Sequence, residues 1–425
     1  MMNQRWLGVM TVVVAIACGE GQDGENAMSS DDAQSMNDTG DPSNTDGNND
    51  IAPTAGYSAD AIQAVLALPE TPLNYENPSL PSLFDSAAVR ALHNAPADNP
   101  ITDEGATLGR VLFYDTLLSA NRTLSCSSCH ASGAGFSDPD QFSTGFEGGF
   151  TGRNSMSLMN LAYYANGAMF WDERADSLEE QVLMPIQDTV EMGLTLEQLV
   201  QRVEDTDYYP LLFELAFGDS AVTSERISFA LAQYVRSIVS SGTRYDEGLA
   251  AAGGNTNMDF ANFSAEENRG KELFFAPAGA GGANCAVCHA DADGAPGPRA
   301  TAVILQMGRA RNNGLAANTS DDGGLGDVTG RPQDDGLFKS SSLRNIALTG
   351  PYMHDGSLET LRDVVEHYNS GIEDHPNLDR VLRGRGNQPQ RLDLSDDDID
   401  AVVAFMETLT DESVVNDERF TNPFR

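Results

Sequence analysis

CSSCH at residues 126–130, answered by CAVCH at residues 285–289, is the pattern around which the rest of this sequence is organised. In each pentapeptide two thiols three positions apart can add across the vinyl groups of a haem. The histidine that follows, His130 or His289, is then held close enough to give an axial nitrogen to the iron. Cys126, Cys129, Cys285 and Cys288 are therefore read as haem-attaching thiols, and His130 and His289 as haem-iron ligands. Two C-x-x-C pairs could instead build a four-thiolate zinc cage. The histidine directly after each pair, which haem attachment requires and a zinc ribbon does not, favours two covalently bound c-type haems.

Of the five cysteines, four lie in these motifs and only Cys18 is left over, so no disulfide framework is available. The 425 residues suffice for two domains and a tail. A formal net charge of −39 argues against nucleic acid as a partner, because phosphates would be repelled. It favours basic partners, such as a small basic electron carrier, and serves solubility equally well.

The N-terminus reads as a secretion signal over residues 1–18: Arg5, the apolar run LGVMTVVVAIA, and Ala15-Ile16-Ala17 before Cys18. The run is too short for a membrane span. A cysteine directly after such a site is similar to a bacterial lipobox, although Ala15 stands where leucine is usual. Lipidation of Cys18, giving a lipid anchor, and simple cleavage without lipid both remain open. Either outcome exports the chain to the periplasm or cell envelope, where c-type haem is attached. Residues 19–55 are rich in Asp, Asn, Ser and Gly, cannot offset their ordering entropy by burial, and are read as a disordered acidic tether.

Beyond the tether the periodicity is helical. Ala61, Ile62, Val65 and Leu66 recur at helical spacing, and residues 101–114 predict a helix that ends before the first haem motif. The run from Gly109 to Tyr114 has a counterpart from Gly270 to Phe275 before the second motif, an internal repeat that suggests two related haem domains. Ser264 and Glu267 form a capping box for the second copy. Ile227, Ala230, Leu231, Tyr234, Val235 and Ile238 make one apolar face. Ser395 caps a last helix that turns Ile399, Val402, Val403, Met406 and Leu409 inward. No sustained period-two alternation occurs. The expected fold is mainly α, with two cytochrome c-like haem domains at 56–255 and 256–425 and long loops such as 279–284 and 314–326.

The strings LGRVLFYDTLLS (108–119), SCSSCH (125–130), STGFEGGFTGRN (143–154), FWDERADSLEEQVLMPI (170–186), VEMG (190–193) and SLRNIALTGPYMHDGSLETL (342–361) run in order over most of the chain after the tether. In them the chain resembles the bacterial diheme cytochrome c peroxidase family, including its MauG branch. The resemblance implies a peroxidatic haem on the N-terminal motif and an electron-entry haem on the C-terminal one. It places the catalytic glutamate on Glu191, a pocket glutamine on Gln181, and Pro185 beside them. Peroxide needs a proton moved from one oxygen to the other before its O–O bond breaks heterolytically, which a carboxylate at hydrogen-bond distance can do. Without the resemblance, Glu191 is one acid among 64. The resemblance also puts Trp171 between the haems, where it could equally be core packing. It puts an interdomain calcium ion on Asn154, Thr349 and Pro351; oxygen ligands suit that cation.

Two departures matter. Phe146 stands where many family members place a histidine that blocks the peroxidatic iron at rest, so the first haem is expected to be open when fully oxidised. Where those members have a methionine as distal ligand of the second haem, this chain has Tyr368, as the MauG branch does, with Met353 and His367 as rivals nearby. Tyrosine there lowers the potential and favours storing oxidising equivalents on both irons. His354 matches a family histidine near the second haem, and His93 and His375 read as ordinary surface or loop residues. The leading expectation is a peroxidase that reduces hydrogen peroxide with electrons from a small donor, a cytochrome c or a copper protein. MauG-like oxidation of a residue on a partner protein, and non-enzymatic electron transfer or redox sensing, are the alternatives. Family members often dimerise, and no interface for a homodimer is legible in the sequence.

Overall fold

In a computed structural model, residues 56–290, 300–306 and 308–425 are described. The signal segment, Cys18 and the tether at 19–55 lie outside the described residues. Seven helices there have eight residues or more: α1 Asp103–Tyr114, α2 Leu196–Glu204, α3 Tyr209–Phe217, α4 Ser224–Ser237, α5 Arg244–Ala251, α6 Ala265–Phe275 and α7 Asp396–Glu407. The only strands among the described residues are β1 Ala310–Arg311 and β2 Phe338–Lys339. They pair antiparallel with Ala310 opposite Lys339. The protein is mainly helical, and none of these helices is long and apolar enough to cross a membrane.

Local chemistry sets the helix ends. Thr102 Oγ1 accepts from Gly105 N at 3.0 Å to start α1, with Asp103 and Glu104 in its first turn favoured by the helix dipole. Ser264 and Glu267 form the capping box of α6. Ser395 accepts from Asp398 N at 3.2 Å to start α7. The periodicity around Ile62 yields only a one-turn helix, Asp60–Gln63. Ile62 and Leu66 are nevertheless fully buried, so their spacing reflected packing rather than a long helix.

Two hydrophobic cores result. The first gathers α1, α3 and α4 through Leu108, Val111, Leu112, Phe213, Ile227, Leu231 and Ile238. The second gathers α5, α6 and α7 through Leu249, Leu273, Phe274, Ile399, Val402 and Phe405. Both draw on both halves of the chain: Val414 and Phe420 lie in the first, and Phe84, Val89 and Tyr163 in the second.

The repeated glycines do the same work in each core. A Cβ on Gly109 of α1 would stand 1.9 Å from the carbonyl oxygen of Ala230 and 2.7 Å from Tyr234 Cβ on α4. A Cβ on Gly270 of α6 would stand 1.8 Å from the carbonyl of Ala401 and 2.9 Å from Phe405 Cβ on α7. Helix crosses helix at backbone contact, which only glycine permits. Gly270→Ala must push α7 away, and we expect it to cost about 1–3 kcal/mol in urea unfolding of the holoprotein. Gly109→Ala should cost a similar amount.

A second duplication lies outside the helices. Ser157-Leu158-Met159-Asn160-Leu161-Ala162 and Ser342-Leu343-Arg344-Asn345-Ile346-Ala347 each turn into a short 3₁₀ segment at an asparagine with φ near +60°. Both asparagines are fully buried. Both bond to Ser240: Asn160 Nδ2 donates to its carbonyl at 3.1 Å, and Asn345 Oδ1 accepts from its hydroxyl at 2.8 Å. Asparagine tolerates the left-handed conformation and satisfies its own amide inside the protein.

Candidate active site

The first cavity, of about 460 Å³, is lined by Cys129, His130, Trp171, Gln181, Pro185 and Glu191 among others. It has room for far more than a water, which takes about 30 Å³. The residues Ser132–Ala134 turn sharply, and Phe136, fully buried at φ +57°, brings its carbonyl back over the histidine. His130 Nδ1 lies 3.0 Å from that carbonyl. The proton therefore belongs on Nδ1, which leaves Nε2 as a lone pair for iron.

In the same lining, Gln181 ends the helical turn Leu178–Gln181 and Pro185 sits in the next, Met184–Gln187. Glu191 follows on a loop that Asp188 shapes: Asp188 Oδ1 accepts from Val190 N at 2.7 Å and Glu191 N at 3.0 Å. Phe146 N donates to the carbonyls of Val190 and Glu191 at 3.2 Å each, and the Phe146 ring packs on Gly193. Phe146 thus braces the acid-bearing loop and is not among the residues that line the cavity. Burial, reinforced by the neighbouring Asp188 carboxylate and opposed by Arg174, pushes the Glu191 carboxyl up to about 6.

The second cavity is lined by Cys285, Cys288, His289, Asn313, Met353, His354 and Tyr368. His289 Nδ1 is buried without a hydrogen-bond partner among the described residues. Burial lowers its imidazole to about 4, so it stands neutral, the form that binds a metal. Tyr368 rides on a π-helical turn, His367–Gly371, a local irregularity that often marks function. Asn313 Nδ2 lies 3.5 Å from the Tyr368 hydroxyl and 3.3 Å from Met353 Sδ, so both rivals reach the same spot. His367 does not line the cavity: its Nε2 lies 3.1 Å from the Asn313 carbonyl.

These residues fit haem and not zinc. The two motifs open into separate cavities, and among the described residues no group of His, Cys, Asp and Glu could hold a metal ion by itself.

Trp171 lines both cavities. Its Nε1 donates to the Asn154 carbonyl at 2.8 Å, and its ring meets the His354 ring edge-on at 6.5 Å. His354 is in turn stacked on Phe338 at 3.6 Å. Asn154 N donates to the His354 carbonyl at 2.9 Å, which brings Asn154 towards the loop of Thr349 and Pro351. Sequence reasoning missed the charges around Trp171. Arg153 bonds Asp172 at 2.6 Å and Asp322 at 2.7 Å, tying together stretches far apart in the chain. Arg174 pairs with Asp172 at 3.0 Å and lies 3.5 Å over the Phe170 ring. Lys339, buried, also lines both cavities. Nothing in the local sequence announced these partners, which are set by loop closure. His375 lies in a loop, as expected, but is interior rather than at the surface: it is 2% exposed, with its nitrogens 3.0 Å from Asn312 Nδ2 and 3.1 Å from Thr319 Oγ1. His93 is exposed.

Two Cys-x-x-Cys-His turns in separate cavities that share a tryptophan wall define the site of a diheme c-type cytochrome. The family model described as "Di-haem cytochrome c peroxidase" matches residues 103–253. A methylamine utilization protein MauG from Methylophilus methylotrophus is 31% identical over 323 residues, 74% of this chain and 85% of that one. A cytochrome c551 peroxidase from Nitrosomonas europaea is 32% identical over 337 residues, 78% and 89% of the two chains. The crystal structure of a MauG-like protein associated with microbial copper homeostasis superposes with a TM-score of 0.67 at 30% identity, covering 83% of this chain and 99% of that one. The chain belongs to the bacterial diheme cytochrome c peroxidase and MauG family, and is an oxidoreductase of the cytochrome c peroxidase type with two c-type haems.

Proposed function

We propose that this protein reduces hydrogen peroxide to water at the haem held by Cys126, Cys129 and His130, with electrons that enter from a small redox protein at the haem held by Cys285, Cys288 and His289. On this reading residues 56–255 carry the peroxidatic haem and residues 256–425 the electron-entry haem, in a chain exported to the periplasm. The observation that carries it is the convergence of Glu191, Gln181 and Pro185 on the cavity of His130. A protein that only passes electrons gains nothing from a half-buried acid there.

Bound haem supplies the electron exchange. The chain supplies protons and position. The Glu191 carboxylate takes a proton from one peroxide oxygen and returns it to the other, which leaves as water. Two electrons and two further protons complete two waters. The Gln181 amide orients peroxide, Pro185 keeps the wall apolar, and Trp171 offers an aromatic route between the cavities. A calcium ion on Asn154, Thr349 and Pro351 would stiffen the junction and belongs to the same proposal.

The pH profile follows from Glu191. As a base it must be ionised before peroxide binds, and it is neutral below about 6. The rate constant kcat/KM should therefore fall about tenfold per pH unit on the acid side, with an apparent pKa near 6. Asp188→Asn keeps the cap on the loop and removes the charge that raises Glu191, so the acid limb should move to lower pH. Stopped-flow peroxide consumption across pH 4.5–8 measures both.

One observation favours a second reading, MauG-like oxidation of a residue on a partner protein: Tyr368, half-buried, lines the second cavity, where tyrosine ligation would lower the potential of that haem. Oxidised holoprotein mixed with peroxide, with and without a reduced small donor, separates the two. Rapid donor-dependent consumption supports the peroxidase. An oxidised form that persists and ignores small donors supports the second reading. No reaction with peroxide sinks both.

A further inference from the structure

Lys339 is a buried lysine with no carboxylate paired to it among the described residues. It is 2% exposed, on β2, and its main-chain N–H donates to the Trp171 carbonyl at 2.7 Å. Its Nζ donates to the Ala168 carbonyl at 2.9 Å, lies 3.4 Å from Met169 Sδ, and sits 3.8 Å from the centre of the Tyr164 ring. One carbonyl, one thioether and one ring face are partial compensation; none carries charge. Among the described residues no carboxylate lies within 4.0 Å of it. The carboxylate whose charge acts on it, Glu173, accepts instead from the Tyr164 hydroxyl and from Asn166 Nδ2. Burial accordingly pulls the lysine down to about 7.

A charge taken out of water is retained where something of opposite sign meets it. Met169 and Lys339 both line the first cavity beside Cys129 and His130, and a haem attached there would bring two propionate carboxylates into it. The other cations of that lining, Arg153 and Arg174, are already paired with Asp172. We propose that Lys339 Nζ holds a propionate carboxylate of the haem attached at Cys126 and Cys129, and through its main-chain bond to Trp171 fixes that haem against the aromatic wall. Lys339 is a positioning residue: it sets where the porphyrin edge lies and raises the potential of its iron. The inference rests on haem attachment at the first motif and is indifferent to which substrate is oxidised or reduced there.

The test uses holoprotein and two variants, Lys339→Met and Lys339→Arg, with Lys339→Gln as a substitute for the first should it give no holoprotein. Resonance Raman reads the propionate-bending bands, and spectroelectrochemistry reads each haem's midpoint. Lys339→Met should shift one propionate band of the first haem. It should also lower the reduced-to-oxidised ratio of that haem at fixed poise by the order of tenfold, about 59 mV for a one-electron couple. Lys339→Arg should keep the first haem near its parent potential. A purely structural lysine would leave the propionate bands where they are. Unchanged bands and potentials in a variant with two haems attached, or a shift confined to the second haem, overturns the inference. Absence of haem from the first motif of the parent, counted separately by pyridine haemochrome, would sink the attachment reading itself.

Discussion

Glu191→Gln is expected to lower kcat/KM for peroxide by about 10²–10⁴ while leaving the resting haem spectrum unchanged. The substitution keeps size and hydrogen-bonding shape and removes only the ability to accept a proton. The loop survives it, because the loop is held by Asp188 on the amides of residues 190 and 191 and by the Phe146 N–H on their carbonyls, none of which involves the Glu191 side chain. Stability gives an independent check on the same carboxyl. Its folded pKa is raised from 4.5 to about 6, so the fold prefers the neutral form. The ionised group therefore costs the fold nothing below its ordinary pKa and progressively more as pH rises through about 6. The glutamine variant should be at least as stable as the parent at pH 7, with the advantage fading towards pH 4. A variant that loses stability along with activity would mean that the loop had collapsed, and the loss could not then be assigned to proton transfer. A stable variant with full peroxide activity would remove Glu191 from the chemistry.

What could be read before the fold was known is what is local. A thiol pair with a histidine directly after it carries its chemistry in five residues, and the capping of α6 and α7 is written in four. The duplication of Gly109 and Gly270 was visible as sequence, and its cause, a helix crossing at backbone contact, only in three dimensions. The second duplication, centred on Asn160 and Asn345, is equally plain in sequence once both buried asparagines are seen to converge on Ser240. Taken alone, an asparagine in a loop signals nothing. Long-range pairing is what stayed hidden: Arg153 owes its meaning to Asp322, Lys339 to Trp171 and Tyr164, His375 to Asn312 and Thr319. Tyr368 was found by resemblance. Its distinctive setting, a π turn opposite Asn313, follows from an extra residue in the helix-end turn that no periodicity reveals.

The largest stability effect is expected at another such hidden pair. Arg344 and Asp246 form a two-pronged ion pair at 2.6 and 2.7 Å, with the arginine side chain fully buried and the aspartate nearly so. The guanidinium also donates to the Val303 carbonyl and lies 4.8 Å over the Phe84 ring. Asp246 has a second task, accepting from Thr243 N and its hydroxyl at 3.0 and 2.8 Å at the start of α5. Asp246→Ala strands a buried cation and should cost about 3–5 kcal/mol, with about 1 kcal/mol more for the lost cap. The double variant Asp246→Ala with Arg344→Met removes the stranded charge and should recover much of the first term and none of the second. Chemical unfolding of the holoprotein, followed by circular dichroism and haem absorbance, closes the cycle. Arg344 directly precedes Asn345, and Leu343 and Ile346 on either side line the second cavity, so the pair anchors that wall to α5. If the single variant unfolds near the parent midpoint, the pair is not what holds the wall. If it unfolds early and the second haem loses its parent spectrum first, the wall fails where the charge was stranded.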